Sequence, residues 1–289
     1  MLIVIAGLLW GTSGIFVKFL SPYGFSSLQM TAVRGIISFI GLSLFTLIVN
    51  KKAFIIKPSR LIVYAVIGFC LYATAALYYT SIQLTNISTA VVLMYTAPIY
   101  VTAFSTLFLK EKLSLPKAGA IALMLIGCAL VSGVVGGLKL DVTGVLLGAL
   151  SGVTYAVYNI ILKILLSKGD DALTVSLYGF LFMALIAIPL AEPASMIPLI
   201  SRDPVVIIPL LVGLGVFTYV IPYFLYNLSM RSLSAGTVSA LGVMEPMSAT
   251  LYSIIFFKEI PDMFAIIGIV LVIAAVILIG IIEDKAGDK

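Results

Sequence analysis

The sequence predicts an all-α polytopic membrane protein with ten transmembrane helices in two inverted-topology repeats of five. Three observations carry that expectation. First, 62% of the 289 residues are hydrophobic and 10% are charged, with a mean hydropathy of +1.24; a soluble domain is about 45–50% apolar and about 25% charged. Second, polar interruptions divide the chain into ten apolar stretches, each close to the roughly 20 residues that a helix needs to cross a bilayer core. Third, a run of residues in the first half recurs in the second at a constant offset. The same composition excludes a soluble enzyme, a disordered chain and a nucleic-acid binder. Net charge is only +5, and no basic run exceeds two residues. His is absent, which removes His-based catalysis, His proton relays and His metal ligation. Cys70 and Cys128 both sit inside apolar runs, so they give no disulfide framework and no metal spacing. No cofactor is implied.

The spans are expected over about 2–20, 26–49, 61–82, 87–109, 116–136, 142–166, 172–190, 205–228, 234–257 and 261–282. The first lacks a positively charged leader and carries Lys18 at its far end, so it reads as a span and not as a removable signal. Its Gly7, Gly11 and Gly14 line one side, and Gly144, Gly148 and Gly152 do the same on the sixth. Such small-residue stripes permit close helix contact. The second span holds Arg34. Pro98, Pro189, Pro222 and Pro246 fall inside the fourth, seventh, eighth and ninth spans. Each removes a backbone donor and is expected to kink or loosen its helix. The fifth and tenth spans hold almost no polar side chains, which suits a scaffold or a dimer face; a homodimer is left open. Strands are a poor alternative, because barrel strands alternate apolar and polar and 266–279 is apolar on every face. Apart from 50–60 and 191–204, the connections are a few residues long. No loop could hold a soluble domain, and the polar tail 283–289 is too short to fold.

Lys and Arg set the orientation. With a cytoplasmic N-terminus, the cytoplasmic side collects Lys51, Lys52, Lys57, Arg60, Lys110, Lys112, Lys117, Lys163, Lys168, Arg231, Lys285 and Lys289. The outer side collects Lys18, Lys139, Arg202 and Lys258. Twelve against four predicts both termini in the cytoplasm, in the cell membrane, by the positive-inside rule.

The internal repeat is legible without gaps. Leu77-Tyr78-Tyr79-Thr80-Ser81 resembles Leu225-Tyr226-Asn227-Leu228-Ser229, after which Thr89 meets Thr237 and Pro98 meets Pro246. Thr102, Ser105 and Phe108 meet Thr250, Ser253 and Phe256, and Lys110-Glu111 meets Lys258-Glu259, all at offset 148. Gly7 and Gly11 match Gly148 and Gly152 at offset 141. The repeats are expected to divide as 1–136 and 137–289, the second with the short cytoplasmic tail. Five spans is an odd number, so the second repeat enters the membrane from the opposite side. Inverted repeats recur in secondary transporters, whose substrate site lies near the midplane between them.

Local words also resemble a known family. They are Gly7-Leu8-Leu9-Trp10-Gly11, Thr31-Ala32-Val33-Arg34, Ala97-Pro98 followed by Phe108-x-Lys110-Glu111, and Glu245-Pro246 followed by Lys258-Glu259. Their order and spacing are similar to the EamA branch of the drug/metabolite transporter superfamily, over essentially the whole chain. The resemblance implies movement of small polar metabolites, with amino acids and cationic compounds among the substrates. It also implies that an arginine at position 34 is common whatever the substrate. Any acidic function is one-sided here, because Ala97 stands where the second half has Glu245.

Few polar side chains fall deep in the bilayer. Glu245 lies about eleven residues into its span, roughly 16 Å at 1.5 Å per residue and close to the midplane. It is either a substrate contact or a hydrogen-bonding plug for the gap at Pro246. Arg34, roughly 12 Å deep, could hold a carboxylate, snorkel outward or pair with a carbonyl. Tyr155, Tyr158 and Asn159 share one face of the sixth helix by i, i+3, i+4 spacing. Tyr219, Tyr223, Tyr226 and Asn227 share one on the eighth. Trp10 and Ser13 share a face near the middle of the first, while Tyr72, Tyr78, Tyr79 and Tyr95 come from the third and fourth. Trp10, Tyr95 and Tyr155 are too deep for an interfacial belt and read as lining a hydrated cavity. The candidate substrate-binding set is Glu245, Trp10, Tyr79, Tyr95, Tyr155, Tyr158, Asn159, Tyr223, Asn227 and Arg34.

The function expected is secondary transport of a small polar metabolite, an amino acid or related amine, by alternating access. The alternative is transport of organic cations, which an aromatic cavity with one carboxylate also suits. A passive facilitator and an intramembrane enzyme are weaker, the latter because no nucleophile–base constellation exists. No Gly-rich segment ends in Gly-Lys-Ser/Thr, so this chain alone does not drive transport with ATP. Proton or ion coupling stays open.

Overall fold

A computed structural model describes residues 2–287, apart from 86, 112, 133–140 and 259; of 87, 88 and 283–287 it describes the backbone only. All described elements are helical. The first span is broken into α1 (Leu2–Gly11) and α2 (Ser13–Leu20). The second and third are α3 (Ser27–Val49) and α4 (Pro58–Leu84), and the fourth is split into α5 (Ile87–Met94) and α6 (Ala97–Phe108). The fifth is α7 (Leu115–Val131), the sixth α8 (Val142–Ser167) and the seventh α9 (Ala172–Leu190). A short helix, α10 (Pro193–Ile200), fills most of the long connection 191–204. The eighth span is α11 (Pro204–Gly215), a π turn at Val216–Val220 and α12 (Ile221–Ser232). The ninth is α13 (Ala235–Leu241) and α14 (Met244–Phe257), and the tenth is α15 (Met263–Gly287).

Among the described residues nine spans are long and apolar enough to cross a membrane, and α7 is the tenth, shorter one. Its 17 residues reach about 25 Å. The expected end of this span at 136 and the expected boundary between repeats at 136/137 lie outside the described residues. Large apolar side chains such as Leu44, Leu107, Ile255 and Ile273 are exposed, as a lipid-facing surface requires.

The two halves share backbone detail as well as sequence. Lys110 and Lys258, at offset 148, both adopt the left-handed conformation that ends a helix, with φ of 56° and 54°. The fourth and ninth spans break within one residue of register, at Tyr95–Thr96 and Gly242–Val243. Ser114 and Asp262, again at offset 148, cap the fifth and tenth helices by accepting hydrogen bonds from the Lys117 and Ala265 amides. Each cap satisfies a donor that a helix start leaves unpaired.

The halves interlock. α4 packs chiefly on α8 and α9, α3 on α9, α1 on α14 and α12, α5 on α8, and α7 on α15. All of these are contacts between halves. The glycines make them close. A Cβ on Gly7 would meet the Met244 side chain, and one on Gly148 would meet Leu93. At the crossing of α7 and α15 a Cβ on Gly268 would lie 2.6 Å from the Gly127 carbonyl oxygen. Polar staples join the same surfaces: Ser248 Oγ donates to the Gly7 carbonyl at 2.9 Å, and Ser81 Oγ to the Gly144 carbonyl at 2.8 Å.

Candidate functional site

Four spans lose regular helix near the middle of the bundle, and the side chains beside those breaks face one cavity. At the first, Thr12 donates Oγ1–H to the Leu9 carbonyl at 2.6 Å, replacing an intrahelical partner. Trp10, Ser13 and Gly14 flank it. At the second, Thr96 does the same to Leu93 at 2.6 Å, and Pro98 has no N–H to offer. Tyr95 sits at this break. Thr218 bonds the Leu214 carbonyl within the π turn that also carries Tyr219. Glu245 lies in the first turn of α14, just beyond the break at Gly242–Val243. Irregular backbone at membrane depth is tolerated where it lines a cavity or is buried in protein.

The cavity encloses about 290 Å³. Seven of the ten sequence candidates line it: Trp10, Arg34, Tyr79, Tyr95, Tyr155, Tyr223 and Glu245. Two opposite charges share the space, each held by a tyrosine. Tyr95 donates its hydroxyl to Glu245 Oε2 at 2.6 Å, and Arg34 donates Nη1–H to the Tyr79 hydroxyl at 2.5 Å. Arg34 is 5% exposed, its guanidinium lies 5.5 Å from the Tyr219 ring centroid, and its Nε–H has no hydrogen-bond partner. The ion pairs found among the described residues do not include Arg34 with Glu245. Trp10 meets Tyr223 edge-on at 5.2 Å between ring centroids.

Tyr158, Asn159 and Asn227 do not line the cavity. They form a buried network behind it. Tyr158 donates to Asn227 Oδ1 at 2.9 Å, Asn227 Nδ2 donates to Ser176 Oγ at 2.6 Å, and Tyr226 donates to Asn159 Oδ1 at 2.5 Å. Helix-face spacing put these residues beside Tyr155 and Tyr223. It could not show that neighbouring helices bury them and engage the Tyr158 hydroxyl, the Asn227 amide and Asn159 Oδ1, leaving Asn159 Nδ2 without a hydrogen-bond partner. Conversely, Thr74, Tyr78, Thr218 and Tyr219 line the cavity without having been candidates. The shared face with Tyr223 was a signal for Tyr219. Nothing in the sequence marks Thr74 or Thr218, whose hydroxyls also serve their own helices.

The cavity reaches from the middle of the bundle toward one side. Its lining runs from Trp10 to Val17 along the first span and from Leu71 to Ile82 along the third, toward the C-terminal ends of both. Gly14 faces open space there. The other side carries a cluster of polar contacts that clasps the two halves together. Lys163 Nζ donates to the Met230 and Leu233 carbonyls at 3.0 and 2.7 Å and lies 4.0 Å from Glu111 Oε1. Glu111 Oε1 also accepts the Ala235 amide at 3.1 Å, and Lys117 Nζ donates to Ser234 Oγ at 2.6 Å.

Broken spans gathered around a central, largely aromatic cavity that holds two charged side chains are the architecture of a membrane transporter. The particular lineage follows from sequence. The chain belongs to the EamA-like transporter family, whose profile matches residues 1–133 and again 142–281. An uncharacterized transporter of Archaeoglobus fulgidus is 26% identical over 277 residues, covering 96% of this chain and 94% of that one. The Bacillus subtilis uncharacterized transporter YwfM is 23% identical over 290 residues, covering 98% and 94%. A solved crystal structure superposes with a TM-score of 0.79 at 18% identity, over 99% of this chain and 97% of that one. That likeness shows the shared fold.

Proposed function

We propose that this protein is a secondary transporter that carries an amino acid or a related zwitterionic metabolite across the cytoplasmic membrane by alternating access. The observation that supports this reading most is the pair of unlike charges, Glu245 and Arg34, lining one cavity without an ion pair between them. A ligand with an ammonium at one end and a carboxylate at the other would offset the desolvation of both. The aromatic walls would receive its apolar part, and an ammonium beside Tyr and Trp faces gains cation–π attraction. With both termini cytoplasmic, the cavity opens outward and the Lys163–Glu111 clasp closes the cytoplasmic side. Seven residues, Trp10, Arg34, Tyr79, Tyr95, Tyr155, Tyr223 and Glu245, make up the proposed site.

A purely cationic substrate fits less well, because Arg34 faces the same space and would repel it. Thermal stability of the purified protein separates the two readings. L-Phenylalanine, phenethylamine and 3-phenylpropionate present both charges, the ammonium alone and the carboxylate alone. A ligand at about 100 times its Kd adds roughly 2.7 kcal/mol to apparent stability. Zwitterion recognition requires phenylalanine, or another amino acid in a wider panel, to stabilise more than either truncated partner. Equal stabilisation by the amine and the amino acid would make this an organic-cation transporter instead.

A further inference from the structure

A second concave site lies at the end of the bundle that carries the Lys163–Glu111 clasp. It is a cavity of about 350 Å³ between the α3–α4 connection of the first half and the α8–α9 connection of the second. Lys52, Lys57, Arg60 and Lys168 line it, together with Asp170 and Asp171. The two carboxylates are already engaged by arginines: Asp170 with Arg60 at 2.9 Å, and Asp171 with Arg231 at 2.6 Å. The ion pairs among the described residues include none of the three lysines, so three positive charges converge on one hollow. Two helix starts add to the positive potential. α4 begins after Lys57 and α9 after Asp171, and neither of these residues caps its helix with its side chain.

The surroundings identify the source of the anion. Ile55 lines the hollow and is 79% exposed. Ile48 and Ile62, on the adjoining turns of α3 and α4, are 85% and 74% exposed. The hollow therefore adjoins the lipid-facing apolar band. Basic pockets between spanning helices at the cytoplasmic surface suit acidic lipid headgroups. We infer that this cavity binds the headgroup of an anionic glycerophospholipid, its phosphate held by Lys52, Lys57 and Lys168 and its acyl chains lying along Ile48, Ile55 and Ile62. A bound lipid would bridge the halves at a seam that already carries Arg60–Asp170 and three hydrogen bonds, Tyr64 to Asp170 Oδ1 at 2.8 Å, Thr174 to the Ala53 carbonyl at 3.2 Å and Tyr178 to the Phe54 carbonyl at 2.7 Å.

The test measures lipid retention and needs no transport substrate, so it stands apart from the proposed function. The full-length protein is exchanged into detergent with equal dioleoylphosphatidylglycerol and dioleoylphosphatidylcholine, and retained lipid is counted by native mass spectrometry. The expected result is preferential retention of phosphatidylglycerol, weakened roughly fivefold for each lysine changed to Gln. Lys52→Arg/Lys57→Arg/Lys168→Arg should keep the preference. Lys18→Gln/Lys110→Gln/Lys258→Gln, with the same charge loss at residues that do not line the hollow, should also keep it. Equal retention of both lipids by the native chain would overturn the inference. So would unchanged preference in the Lys52→Gln/Lys57→Gln/Lys168→Gln variant, or loss of the preference in the Arg variant. Displacement of phosphatidylglycerol by millimolar inorganic phosphate would assign the cavity to a soluble anion and overturn the lipid assignment.

Discussion

Glu245 and Tyr158 show what depth and spacing can and cannot reveal about a single residue. Glu245 was legible because a carboxylate near the bilayer midplane needs a compensating partner wherever its helix turns. It faces the cavity with Tyr95 as its hydrogen-bond donor. Glu245→Gln is expected to fold normally, since the amide can still accept from Tyr95, and to reduce proteoliposome uptake at least tenfold. A pH series divides the causes: lost transport with retained substrate binding points to proton coupling, and loss of both points to direct contact. Normal uptake at every pH would leave Glu245 as a brace for the break before Pro246. Tyr158 shared a helix face with Tyr155, yet its hydroxyl is spent on Asn227 inside the bundle. Spacing along one helix cannot say which neighbour covers which side. Tyr158→Phe should lower thermal stability by about 1–3 kcal/mol, the cost of leaving a buried acceptor unpaired, with substrate affinity unchanged. Tyr223→Ala should do the reverse in emphasis, weakening binding in a protein that still purifies as a folded species. If Tyr223→Ala binds substrate normally, the Tyr223 ring serves packing alone.

At the scale of helices, proline announced part of the pattern. Pro98 and Pro222 stand in the first turns of α6 and α12, directly after irregular segments. Pro246 follows the break at Gly242–Val243. Pro189, in the last turn of α9, leaves that helix unbroken up to its end. The break at Thr12 gave no such signal, because a threonine that bonds its own helix reads like any other small polar residue. The π turn inserts one extra residue into a period of 3.6, a change too small for apolar patterning to expose. The fifth and tenth spans stay clear of the cavity and pack on each other through Gly127 and Gly268. At the opposite side, Lys163 is the hub of contacts that join the ends of α6, α8, α12 and α13, and the proposed closure there is open to test. Lys163→Met would remove hydrogen bonds from a charged donor, worth about 1.5–3 kcal/mol. A buried reporter, Met230→Cys, should then react with a cytoplasmic thiol reagent at least about tenfold faster than in the background with Lys163 intact. An unchanged rate would show that the clasp does not govern access.

For the molecule as a whole, ten spans and an internal repeat were readable because hydropathy and a constant offset need no tertiary contact. The interlocking of the halves was not readable, because a repeat in sequence is silent about whether its copies stand side by side or interleave. Orientation is open to direct measurement at the matched left-handed positions. Lys110→Cys should label only from the cytoplasm and Lys258→Cys only from outside; labelling of both from one face would remove the inverted relationship. The interleaving has its own consequence for biosynthesis. The first five helices leave the ribosome before their packing partners exist: α1 must wait for α14, and Arg34 for Tyr219. Insertion into the bilayer can proceed in chain order, but tertiary assembly cannot, so the nascent first half lacks these contacts until the ninth span arrives. Residues 1–136 and 137–289 expressed as separate chains should each be degraded when alone and should copurify as a stable pair when made together. A first half that accumulates by itself as a stable monomer would show that its contacts with the second half are dispensable for folding.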